Sequence, residues 1–140
     1  MDYFNYQNKH LFAEELSVSD IVNKYGSPIY IYSKKTIIRH YHAFNDALGS
    51  HPHLICYAVK ANSNIGILKI LADLGSGFDV VSKGELQRAL YAGADPAKIV
   101  FSGVGKTVEE IEFALSEKIH CINVESIAEL NRIQEISAKQ

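Results

Sequence analysis

The run LICYAVKAN, residues 54–62, carries a continuous apolar stretch up to a lysine, Lys60. Leu54 to Val59 suit a strand covered on both faces, as in parallel sheets. Lysine is almost never fully buried unless it is paired or reactive. Lys60 therefore has two readings. Either the strand surfaces there and the ammonium meets water, or the amine is desolvated, binds its proton less tightly and attacks carbonyls. Polar residues end the later strand-like runs in the same way: Asp79 in GFDVV, Ser102 after KIVF, and Asn123 and Glu125 in HCINVE. Side-chain alternation puts Cys56, Ala58 and Lys60 on one face, where the two small residues leave room beside the amine. Convergent polar groups around such a lysine favour a binding or catalytic role.

Other chemistry-bearing patterns fall away on inspection. SGVGKT (102–107) resembles a phosphate loop, but that pattern requires glycine where Val100 stands. GSGFD (75–79) precedes its strand core, whereas a dinucleotide fingerprint follows one. Lys106 and Thr107 lie where the lip of a site would be, and Thr107 also fits a helix cap. Glu85 reads first as the third residue of a capping box, and Ser102 as the start of a turn. His10, His40, His42, His51, His53 and His120 match no metal-ligand spacing, so no metal site is expected.

The elements that must position Lys60 read as a repeat. Strands are expected at 54–60, 77–81, 98–102 and 120–124. Helices follow at 64–74, 83–91, 108–116 and from 127 onward without a stop signal. Alternating short strands and helices mean parallel βα units. Ser82–Glu85, Thr107–Glu110 and Ser126–Glu129 form three capping-box patterns, each just after a strand. Within the strands, small or polar residues occupy one face and bulky apolar residues the other. In a parallel barrel the bulky face meets the helices, and the polar face points inward at the end where sites form. An open doubly wound sheet remains an alternative on pattern alone. Upstream, residues 4–16 read as short strands, 17–25 as a helix, PIYIY (28–32) as a strand and 33–48 as a helix bearing Ile37, Ile38, Tyr41 and Phe44 on one stripe.

Composition narrows the partners. The chain has 140 residues, a formal net charge of -2 and 47% hydrophobic residues. That balance gives no reason to expect nucleic acid as a partner. No apolar run approaches the ~20 residues of a membrane span, and MDYFNYQNKH lacks a signal pattern. Cys56 and Cys121 are expected to be buried thiols in a reducing cytoplasm, with a disulfide as the lesser alternative.

At YAVKANSN (57–64) the sequence resembles the fold-type III pyridoxal-phosphate enzymes, and more closely their diaminopimelate decarboxylase branch. YGSPIYIYS (25–33), HPHLICYAVKANSN (51–64), LGSGFDVVSKGEL (74–86), KIVFSGVGKT (98–107) and INVESIAEL (122–130) carry the resemblance in family order. It implies that Lys60 joins pyridoxal 5'-phosphate covalently and that Ala58 and Asp79 lie beside the cofactor. It implies a partial (β/α)8 barrel, the first four or so βα units, at 28–140, with residues 1–27 opening a β-rich second domain. It implies a cytoplasmic homodimer that converts meso-diaminopimelate to L-lysine and carbon dioxide. Ornithine- or arginine-type decarboxylation, racemisation, or a non-catalytic barrel are the alternatives; Ser63-Asn64-Ile65-Gly66 departs from the racemase pattern. A whole barrel takes about 250 residues, so the chain reads as an N-terminal piece, inactive alone. Its open sheet would leave Lys60, Asp79, Asn123 and Glu125 wet.

Overall fold

The computed structural model describes residues 3–139. They divide into two compact units, on either side of the Gly49–Ser50 peptide.

In the first unit, β1 (Phe4–Gln7), β2 (His10–Ala13) and β3 (Leu16–Ser17) form an antiparallel sheet in that order. Two helices follow, α1 (Val18–Tyr25) and α2 (Lys34–Leu48). The Ser33 hydroxyl caps α2 by accepting from the Thr36 N–H, and donates to Glu14 Oε1 at 2.8 Å. The same carboxylate oxygen accepts from the Lys35 N–H at 2.8 Å, so the turn after β2 and the start of α2 are tied together. The strand expected at PIYIY does not form: 28–32 run irregularly between the helices, with Tyr30 and Tyr32 exposed. Aromatic and β-branched residues favour a strand only when a partner accepts its ladder, and no described strand pairs with this segment.

The second unit is a parallel sheet of four strands, β4 (Cys56–Ala58), β5 (Gly77–Val80), β6 (Ile99–Phe101) and β7 (Cys121–Ile122), in sequence order. Four helices follow them in turn: α3 (Ile65–Asp73), α4 (Lys83–Tyr91), α5 (Val108–Ser116) and α6 (Ile127–Ser137). Strand order equals chain order with no reversal. A doubly wound sheet reverses at a switch point, so this is the singly wound arrangement of a β/α barrel, the expected class. Helix α6 stops at Ser137 instead of running to the end of the chain.

Register decides which residues face the helices. Tyr57 is opposite Phe78, Phe78 opposite Ile99, and Val80 opposite Phe101. Phe78, Val80, Ile99 and Phe101 are fully buried, together with Leu68, Leu86 and Ile111 from the helices. Burying one such side chain stabilises the fold by about 1.5–3 kcal/mol. The other face carries Ala58, Asp79, Val100 and Cys121 in one row across the sheet. These residues are half-buried or exposed.

The helix starts follow the cap pattern in part. Ser82, Thr107 and Ser126 each accept from the N–H three residues on. Only Thr107–Glu110 completes the reciprocal bond. Glu85 instead accepts from the Val81 N–H, and Glu129 from the Glu125 N–H, each one residue before the cap. A glutamate side chain spans either distance, so the motif determined the cap but not the return bond.

Gly77 meets the tightest packing of the sheet. A Cβ there would lie 2.4 Å from the Lys98 carbonyl oxygen and 2.8 Å from Cys56 Sγ. The carbonyl belongs to the backbone leading into β6 and cannot turn aside. Gly77→Ala is therefore expected to lower unfolding stability by roughly 1–3 kcal/mol. Urea denaturation of both proteins measures the change; an unchanged midpoint would contradict the close approach.

Candidate functional site

The polar groups gather at the C-terminal ends of β4 to β7. Strand β4 ends at Ala58, two residues earlier than its apolar run implied, and a 3-10 turn (Val59–Ala61) follows. The turn buries Val59 completely and leaves Lys60 exposed. Lys60 thus sits just past the strand end, on a turn, and the simple alternation that grouped it with Cys56 and Ala58 stops at Ala58. Its ammonium has no hydrogen-bond or ion-pair partner among the described residues. In the same register row Ala58 lies opposite Asp79, and both are half-buried.

Asp79 is held by a chain of side chains that crosses three strand ends. The Ser102 hydroxyl donates to Asp79 Oδ1 at 2.5 Å, and Asn123 Nδ2 donates to Ser102 Oγ at 3.0 Å. Ser102, read from sequence as the start of a turn, is thus the direct partner of the carboxylate. Ladder bonds run past the strand limits to this point: the Ser102 N–H donates to Val80 O and the Asn123 N–H to Phe101 O. The polar row is therefore set by the backbone as well as by the side chains. Glu125 points no bond of its carboxylate into this row; only its N–H is engaged, by Glu129.

The rival amines are committed elsewhere. Lys83 pairs with Glu109 and lies over the Phe113 ring, 5.3 Å from its centre. Lys106, expected at the lip, is 3% exposed instead. Its ammonium donates to Gly103 O at 2.7 Å, Asn123 O at 2.8 Å and Glu129 Oε1 at 2.7 Å. A lysine has three N–H donors, so none remains for a phosphate or a carbonyl substrate. Gly103 and Gly105 adopt positive φ, 92° and 73°, which curls the SGVGK backbone around this buried head. The pairing of Lys106 with Glu129 bridges 23 positions and leaves no mark in local sequence.

The thiols are also distinct. Burial pushes the Cys56 thiol up, and the negative charge of Asp79 adds to the shift. Cys56 therefore stays protonated and is a poor nucleophile at neutral pH. Cys121 is exposed, not buried as its apolar run implied, because β7 is an edge strand of the described sheet. Both cysteines are free. They lie on β4 and β7, the first and last strands of the four-strand sheet, and form no disulfide.

Among the described residues no cluster of three or more histidine, cysteine, aspartate or glutamate side chains is placed to hold a metal. Among the described residues no helix is long and apolar enough to cross a membrane.

An unpartnered amine on the turn after β4, at the same end of the sheet as the fixed carboxylate of Asp79, suits an aldehyde cofactor. Residues 34–140 match the family described as pyridoxal-dependent decarboxylase, pyridoxal binding domain. The chain belongs to that family, whose cofactor is pyridoxal phosphate. It is 58% identical to a diaminopimelate decarboxylase of Vibrio cholerae over 140 residues, 99% of this chain and 34% of that protein. A crystal structure of an Aquifex aeolicus protein matches with TM-score 0.94 at 42% identity, covering 98% of this chain and 34% of that one. Diaminopimelate decarboxylase of M. jannaschii, solved with L-lysine, matches with TM-score 0.91 at 34% identity, over 97% of this chain and 33% of that one. The chain thus spans about a third of the length of these relatives.

Two carboxyls near the site link stability to pH. The Thr107 N–H bonded to Glu110, helped by the Lys83 N–H, holds that carboxyl below its ordinary 4.5. Burial pushes Glu129 up, but the bonds from Lys106 and from the Glu125 N–H outweigh it and the carboxyl stays below 4.5. A carboxyl depressed on folding contributes stability that is complete above its unfolded value and is lost as pH falls through the folded one. Unfolding midpoints in urea are expected to drop as the pH falls below the ordinary 4.5 of these carboxyls, and Glu129→Gln to flatten that drop. An identical pH profile in wild type and variant would contradict the assignment.

Proposed function

We propose that this chain is the N-terminal, cofactor-binding part of a decarboxylase that converts meso-2,6-diaminopimelate to L-lysine and carbon dioxide. The observation that carries the reading is Lys60: an exposed amine without a partner among the described residues, on the turn that directly follows β4, whose last residue Ala58 is in register with the anchored Asp79. The identity to a diaminopimelate decarboxylase and the L-lysine in a similar solved structure support the choice of substrate and product.

Lys60 would hold the cofactor by condensing its neutral amine with the aldehyde, with release of water. Ala58 presents only a methyl group, so the face beside Lys60 stays open. Asp79 places a negative charge there, with Ser102 fixing its orientation. When bound, pyridoxal phosphate supplies the electron sink for the bond that breaks. Lys106 is excluded as the joining amine because its ammonium is buried and its three N–H groups are taken by Gly103 O, Asn123 O and Glu129. The proposed enzyme is a cytoplasmic homodimer, in keeping with free thiols and a small-molecule substrate.

The test is made on the full-length protein loaded with pyridoxal phosphate. Borohydride reduction followed by peptide mass mapping is expected to link the cofactor to Lys60. Lys60→Ala is expected to abolish that link and to lower carbon dioxide release from meso-diaminopimelate by at least about a thousandfold. A cofactor linked to Lys83 or Lys106 would overturn the site assignment. Preference of the wild type for ornithine over diaminopimelate would overturn the substrate.

A further inference from the structure

Lys106 and Glu129 are the most deeply buried charged residues of the second unit, 3% and 8% exposed. A buried ion pair is weak evidence for stability, because apolar residues of similar volume often do as well. Its better-attested use is to specify one arrangement among several. The acceptors of Lys106 identify which arrangement that is. They come from the loop after β6, from the segment after β7 and from α6. Gly103 O belongs to the residue that follows Ser102. Asn123 O belongs to the residue whose side chain reaches Ser102. Asn123 itself and the residue that follows Ser102 are thus tied to a single ammonium. The other oxygen of Glu129 accepts from the Glu125 N–H at 2.8 Å, which pins the far end of the same segment.

We propose that Lys106, seated on Glu129, is a positioning residue for the cofactor face: it aligns the ends of β6 and β7 so that Asn123 and Ser102 hold the Asp79 carboxylate in one orientation. The inference rests on the reading of that face as a pyridoxal-phosphate site. Lys106 touches neither Asp79 nor Lys60 in the described bonds; its effect travels through Gly103 and Asn123. Loss of the ammonium leaves Glu129 buried without its cation and frees two backbone carbonyls beside Ser102 and at Asn123. The hydroxyl of Ser102 then loses its fixed distance to Asp79, and the carboxylate samples other rotamers.

The experiment is a double-mutant cycle on the full-length protein with Lys106→Met, Ser102→Ala and the double variant. The primary readout is the dissociation constant of the apo protein for pyridoxal 5'-phosphate, from absorbance titration. Urea stability of each apo variant is measured beside it. Each single variant is expected to weaken cofactor binding by about tenfold, the usual scale for a group that orients a direct ligand contact. The double variant is expected to bind about as weakly as Ser102→Ala alone, since both act on the same carboxylate. Where Lys106→Met does not fold, Glu129→Gln takes its place in the cycle, because it keeps the size but removes the counter-charge and one of the two acceptors that hold Lys106 and the Glu125 N–H. Multiplicative losses, or a loss of stability with unchanged cofactor affinity, overturn the positioning role. A wild type that binds no pyridoxal phosphate overturns the function reading itself, and is seen before any variant is compared.

Discussion

The parallel ladder of β4 to β7 is the constraint on which the rest depends. Its register puts Ala58, Asp79, Val100 and Cys121 in one row and Phe78, Val80, Ile99 and Phe101 on the reverse. One alternation thereby does two jobs. The bulky face is sealed by the helices and supplies the hydrophobic stabilisation, while the small and polar face is left for chemistry. A slip of one residue in β5 would exchange its faces and bury Asp79 on the apolar side of the sheet. Gly77 lets β5 approach the Lys98 backbone closely enough to keep this register.

Charges are managed by the same geometry. Each helix after β5, β6 and β7 begins with a glutamate that reaches back to a backbone N–H of the preceding loop. These bonds tie the strand ends to the helix starts, where parallel α/β folds carry their sites. At Glu129 the device is extended by the buried Lys106, so that strand end, loop and helix share one polar cluster. The polar row from Asp79 through Ser102 to Asn123 joins it at Asn123, whose carbonyl accepts from Lys106. Lys60 stands apart, on its own turn, free of these bonds. Among the lysines near the strand ends, Lys83 and Lys106 are committed to other groups while Lys60 has no partner among the described residues, and that difference marks it as the candidate nucleophile.

The βα order, the four strands of the sheet, the helix caps and the sidedness of the strands were all legible in the chain, because period-two and helical patterns and cap residues act locally. So was the family, through YAVKAN, SGFDVVSKGEL and FSGVGKT, and with it Lys60, Ala58 and Asp79 as the residues to weigh. Tertiary structure decided what depends on partners distant in sequence. PIYIY has strand-forming residues but no neighbour to pair with. Cys121 has an apolar context but an edge position. Lys106 has the look of a lip residue, yet its charge is compensated by Glu129, 23 residues away, and by two carbonyls from other segments. Ser102 and Asn123 become partners only once β5, β6 and β7 lie side by side. A local pattern states what a segment prefers; where a polar head ends up depends on which acceptors the folded chain brings within about 3 Å of it, and those acceptors lie on other strands.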